Sequence, residues 1–175
     1  PSDALMKKAR TQAVELFDTM DIKQDEENLC GQIVSLLSEK KRQCGDLLKW
    51  YQVAMPYPGK DVVERGAALI GGILDRRGDN VAMLEAFTRA EDDLLDWKED
   101  IAEIEFFFKN QADVFRDAYR LSEQAERDIH YFADEPQAAE AAKAIRAIVQ
   151  MKRPYREIKR LPELKAAVDH AYTRI

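Results

Sequence analysis

From Ile101 to Phe132, apolar and small positions recur at alternating steps of three and four: Ile101, Ile104, Phe108, Gln111, Phe115, Ala118, Ser122, Ala125, Ile129 and Phe132. That spacing lays them along one stripe of an α-helix. No Gly or Pro interrupts the run, so the pattern predicts a single rod about 48 Å long. Phe107, Val114 and Leu121 add a second row, and a stripe that broad needs neighbours on more than one side. The expectation is an all-α fold, an elongated helical bundle built around one long central helix at about 101–132. Phe108 and Phe115 are expected in its core.

The same periodicity organises the rest of the chain. Ser2 or Asp3 can cap a first helix that runs to about Met20, and Asp25 can cap a long second one. Gly31 and Gly45 weaken that second helix by about 1 kcal/mol each relative to Ala, which suggests close helix contact or a bend. Met55-Pro56-Tyr57-Pro58-Gly59 is the strongest break. Asp61 is the expected cap of a third helix, in which Gly66, Gly71 and Gly72 suggest a close approach to another backbone. Asp79 or Asn80 caps a fourth that extends to about Lys98 and runs nearly continuously into the rod. Pro136 opens an Ala-rich helix, and Pro154 and Pro162 divide the remainder. The chain is read as long N-terminal helices over 1–56, central helices with the spine over 57–133, and basic helices over 134–175. Together they form one continuous helical domain, a fragment of a larger protein.

Composition narrows the function classes. At 175 residues the chain can bury a sizeable core. Its net charge of −6 gives no overall electrostatic case for nucleic acid, and no apolar run reaches the length of a membrane span. Cys30 and Cys44 fall on one predicted helix about 21 Å apart, too far for a disulfide. They read as buried thiols of a reducing, cytoplasmic protein.

No residue set assembles a catalytic, cofactor or metal site. Gly59-Lys60 ends like a phosphate loop, but Asp61 stands where Ser or Thr should hold magnesium and Ala54 where the first Gly belongs. His130 and Glu126 share a helical face but supply only two ligands, and His170 has only Asp169 beside it. The acidic residues Glu91, Asp92, Asp93, Asp96, Glu99, Asp100, Glu103 and Glu105 lack the loop of a calcium site and read as a solvated face or a patch for a basic partner. From Gln137 onward nine Lys or Arg stand against four Asp or Glu. Lys143, Arg146 and Lys152 belong to this balance, and Arg153, Arg156, Lys159 and Arg160 are its candidate interaction surface. Tyr155 is the one aromatic among them, thin for stacking on single strands. These cations either meet carboxylates or partner proteins, or contact the phosphates of DNA.

Several short segments, in order, carry a resemblance. They are Tyr57-Pro58-Gly59-Lys60-Asp61-Val62, Asp92-Asp93-Leu94-Leu95-Asp96, Phe107-Phe108-Lys109-Asn110-Gln111 with Phe115, Pro154-Tyr155, Ile158-Lys159 and Leu161-Pro162-Glu163-Leu164. In these the chain resembles the C-terminal helical region of the large P-loop ATPases of BREX phage-exclusion systems, the BrxC/PglY family. The resemblance implies a cytoplasmic bacterial protein of well over a thousand residues that binds and hydrolyses ATP with magnesium in an N-terminal domain this chain lacks. It implies restriction of phage DNA alongside a methyltransferase and other system proteins. No position here matches the nucleotide-binding residues, so this fragment is expected to hold no cofactor and to act as a scaffold for self-association or for other BREX proteins. A helical nucleic-acid-binding domain using the basic third is the alternative.

Overall fold

A computed structural model describes residues 1–151 and 154–174. Among them the regular structure is helical throughout, with no strand. The α-helices are α1 (Asp3–Phe17), α2 (Glu26–Leu48), α3 (Lys60–Leu74), α4 (Asn80–Arg89), α5 (Glu91–Asn110), α6 (Ala112–Arg127), α7 (Pro136–Ala147), α8 (Tyr155–Ile158) and α9 (Leu161–Thr173). Their starts follow local chemistry. The side chains of Ser2, Asp25 and Asp79 accept hydrogen bonds from the backbone N–H groups of Leu5, Asn28 and Ala82, which satisfies donors that a helix start leaves unpaired. Pro136 sits in the first turn of α7, where its missing N–H costs nothing. The third helix opens one residue before the expected cap, at Lys60, and Asp61 lies inside its first turn. Asp18, left-handed at φ 51°, ends α1 three residues short of Met20.

The expected rod over 101–132 is not one helix. It divides into α5 and α6 at Gln111, whose backbone (φ −128°, ψ −10°) leaves the helical region, and it ends in a separate 3-10 turn at Ile129–Phe132. The break re-aims the buried face. Before it the buried positions are Ile101, Ile104 and Phe107, in steps of three, and after it Phe115, Ala118, Ser122 and Ala125. In an unbroken helix Phe107 and Phe115 would point about 80° apart, at about 100° per residue. With the hitch between them both are fully buried, their ring centroids 5.7 Å apart. Phe108 is accordingly only partly buried and packs on the core from its edge, while Ile129 and Val114 are exposed. A second break, at Ala90, separates α4 from α5, so the fourth helix does not run on.

The chain packs as two compact units, 1–52 with 60–102 and 53–59 with 103–175. This division cuts the central segment between Ala102 and Glu103. In the first unit α2 packs along α3, and α1 against α4. Leu29, Ile33 and Leu37 of α2 are fully buried, as are Val63 and Ile70 of α3 and Leu84 and Phe87 of α4. Gln12 of α1, itself buried, donates from Nε2 to the Phe87 carbonyl at 2.7 Å. Cys30 and Cys44 are free and buried, and burial pushes both thiols up from their ordinary pKa.

Of the glycines of α3, Gly66 makes the closest approach, and to a side chain rather than a backbone. A Cβ there would lie 2.0 Å from Cδ1 and Nε1 of the buried Trp97 indole. At Gly71 the nearest atom would be Lys41 Nζ at 3.4 Å, and at Gly72, Gly31 and Gly45 nothing lies within 4 Å. In the second unit α6, α7 and α9 pack on one another. Phe107, Phe115, Ile145, Leu161 and Val168 are fully buried in that core, and Tyr57 joins it edge-on.

Candidate interaction surface

Of the four cations singled out in the basic third, Arg153 lies outside the described residues, as does Lys152. Arg156, Lys159 and Arg160 are exposed on α8 and the turn that follows it. Two anchors hold that short helix. Ile158 and Leu161 are buried in the core, and the Tyr155 hydroxyl donates to the Pro58 carbonyl at 2.9 Å.

Most of the described cations in this third already face a carboxylate. Arg160 meets Glu157 at 2.7 Å, Lys165 meets Asp169 at 2.9 Å, and Arg174 meets Glu135 at 3.2 Å. Lys143 lies 3.8 Å from Glu140, and Arg146 pairs with Glu126. Arg156 and Lys159 alone make no ion pair among the described residues. Exposed pairs of this kind contribute little to stability, at most about 1 kcal/mol each. They nevertheless cancel most of the local positive charge that phosphates would need.

The other candidates are spread over the fold. Lys60 follows Gly59, which turns at φ 103°, and its exposed ammonium lies 3.8 Å from Glu64. Asp61 engages Arg65 at 3.3 Å. Glu126, the neighbour of His130 by spacing, engages Arg146 instead, while the His130 ring lies against Tyr131 with centroids 4.2 Å apart. His170 is exposed on α9. Glu91, Asp92 and Asp93 occupy the first turn of α5, where negative charge suits the helix dipole, and most of the acidic run is exposed. No group of three or more His, Cys, Asp or Glu among the described residues is placed to share a metal, and none of their helices is long and apolar enough to cross a membrane.

One feature of the second unit was not visible as a site in the sequence. Between α6 and α7 lies a half-open cavity of about 520 Å³. Ser122, Ala125, Ile129 and Phe132 line it from α6 and the turn that follows, and Ala139, Ala142 and Ala147 from α7. Glu126, Lys143 and Arg146 are also among its lining residues. The furrow exists because the facing ridges are small: Ala side chains let two helices approach but fill little space above them. The Ala-rich stripe of α7 was the available signal, since small residues on both ridges imply a shallow trough.

Comparison with protein families gives a match that covers most of the chain. Residues 5–129, from α1 through α6, match the family described as BREX ATP-binding protein BrxC alpha helical domain. No solved structure matches the chain. The segments Tyr57–Val62, Asp92–Asp96 and Phe107–Gln111 with Phe115 fall inside the matched residues, whereas Pro154-Tyr155, Ile158-Lys159 and Leu161–Leu164 fall beyond them. A match over that span, on an all-α fold, places the chain in the BrxC alpha helical domain family of BREX anti-phage defence.

Proposed function

We propose that this chain is a non-catalytic interaction module of a cytoplasmic BREX defence ATPase, acting through self-association or contacts with other system proteins. ATP and magnesium are then handled elsewhere in the full-length protein, in a nucleotide domain of its own. The observation that carries the reading over DNA binding is the pairing of Lys143, Arg146, Arg160, Lys165 and Arg174 with carboxylates. A surface built for phosphates leaves its cations available to them. Here only Arg156 and Lys159 are left without such a partner among the described residues.

Salt dependence separates the two readings. Each phosphate contact steepens the fall of affinity by about 0.9 log units per log unit of salt. If Arg153, Arg156, Lys159 and Arg160 all meet phosphates, the slope on duplex DNA is about 3.6, and reversing those four charges abolishes binding while leaving the fold intact. We expect no submicromolar binding in a gel-shift titration at about 150 mM salt. Tight binding there with the steep slope overturns the interaction reading in favour of a nucleic-acid-binding domain.

The nucleotide expectation is tested separately. Asp61 engages Arg65 and the Lys60 ammonium faces Glu64, so neither is set up to hold magnesium or phosphate. Calorimetry should detect no saturable ATP binding to the chain. Saturable binding that Lys60→Ala removes would show that the loop is functional after all.

A further inference from the structure

The connection between α2 and α3 does not stay in its own unit. The chain leaves the first unit after Gln52, contributes Val53–Gly59 to the second, and returns at Lys60 to begin α3. Connections between packed neighbouring helices usually run over the surface as short turns. Here α2 and α3 pack along each other, yet their connection is built into another core. We propose that this strap is a coupling device: by anchoring Tyr57 in the second unit, it makes the folded state of each unit stabilise the other.

The anchor is specific. The Tyr57 ring meets Phe107, Phe108 and Phe115 with centroids 5.8, 5.4 and 5.8 Å away. At such separations aromatic pairs attract beyond the area they bury. Met55 packs against the same core. One residue after the ring, the buried Pro58 offers its carbonyl to the Tyr155 hydroxyl. Pro56 and Pro58 fix φ on either side of Tyr57, so the strap has less chain entropy to lose when it docks. Gly59, at φ 103°, then turns the chain back into α3.

The coupling runs through the covalent chain and needs no contact between the units. With the first unit unfolded, the strap and Glu103 are joined only by a loose 60–102. Seating Tyr57 then means closing that whole loop, at a cost in chain entropy. With the first unit folded, the loop is already closed, and the strap is delivered at high effective concentration. By linkage, what the second unit gains from the first it returns in equal measure. Anything that binds and stabilises one unit therefore tightens the other. This holds whatever the partner is, and does not depend on the interaction-module reading. Helix α5, which crosses from Ala102 to Glu103 without a break, is the other covalent link. Removing the anchor at Tyr57 leaves it intact.

Both tryptophans of the chain, Trp50 and Trp97, lie in the first unit. Indole fluorescence therefore follows that unit alone, while far-ultraviolet circular dichroism follows the helices of both. In urea the two signals of the unaltered chain should superpose. Tyr57→Ala should separate their midpoints by about 1 M or more, with part of the helical signal lost before the indole emission moves. Ile145→Ala is the comparison. It truncates a fully buried side chain of the second unit's core and leaves the strap alone, so both signals should shift to lower urea together. Should Tyr57→Ala lose all helix, Tyr57→Leu, which keeps apolar bulk without the ring, is read by the same criterion. Three results overturn the proposal: signals that already part in the unaltered chain, signals that stay superposed when the anchor is removed, and signals that part equally in Ile145→Ala.

Discussion

Phe115→Ala is expected to lower the unfolding free energy by about 3–5 kcal/mol, the range for truncating a fully buried aromatic. The ring is 0% exposed. Its centroid lies 5.7 Å from those of Phe107 and Tyr119 and 5.8 Å from that of Tyr57. Removing it therefore opens a cavity at the centre of an aromatic cluster and also loses several edge and stacking contacts. Phe107→Ala belongs in the same range, being equally buried. Phe108→Ala should cost less, because that ring is only partly buried. Phe106, 56% exposed on the same helix, is the control, and its truncation should stay within about 0.5 kcal/mol. Urea unfolding followed by circular dichroism measures all four. Equal losses at positions 106 and 115 would mean that the second unit's core is not built on this cluster.

The second large effect is expected at Gly66, where two contributions oppose each other. Replacing a helical Gly with Ala should gain about 1 kcal/mol of helix propensity. Against this, the new methyl would lie 2.0 Å from two atoms of the Trp97 ring, well inside van der Waals contact. Trp97 is 5% exposed, so the ring cannot swing into solvent and the helices must part. Overpacking of this kind costs about 1–3 kcal/mol, occasionally more. With an overlap this deep the steric cost should win, leaving Gly66→Ala destabilised by about 1–3 kcal/mol. Gly72→Ala, in the same helix with nothing within 4 Å, should instead gain up to about 1 kcal/mol. A double-mutant cycle isolates the clash: in a Trp97→Leu background the sign at Gly66 should reverse, because the indole is no longer there to be struck. Additive effects at the two positions would rule the contact out as the cause.

The parts of this fold legible in the sequence were those decided within a few residues. Ser2, Asp25 and Asp79 cap helices as their side chains suggest, and Pro136 opens α7, because a cap is a contact between residues two or three apart. The break at Gln111 was not legible. No Gly or Pro marks it, and the hydrogen-bond ladder nearly bridges it, with Gln111 N–H reaching the Phe107 carbonyl at 2.7 Å and Phe115 N–H reaching the Gln111 carbonyl at 3.0 Å. What accompanies it is tertiary: Phe107 and Phe115, about 80° apart on a straight helix, here meet in one core with ring centroids 5.7 Å apart. The candidate surface divides in the same way. That Arg160 has Glu157 one turn away could be read from spacing. That Arg146 meets Glu126 and Arg174 meets Glu135 could not, since those partners come from other elements. Ser122, Ala125 and Ala142 were recognisable as inward-facing from periodicity, and all three are buried.

Val53–Gly59 belongs to the second unit although it lies in sequence between the two halves of the first. This has a consequence for timing. At about 5–20 residues per second of synthesis, Tyr57 emerges some seconds before Phe107 and Phe115, the rings it packs against. Pro58 waits longer still for Tyr155, 97 residues downstream. The first unit, for its part, cannot close until Ala102 has been made. A nascent chain stopped anywhere in α4 therefore holds neither unit whole, and its apolar stripes lie open to chaperones and proteases. Ribosomal pausing in that stretch would hurt more than pausing after Ala102. The earliest-made piece of the second unit is also the one kept waiting longest for its place.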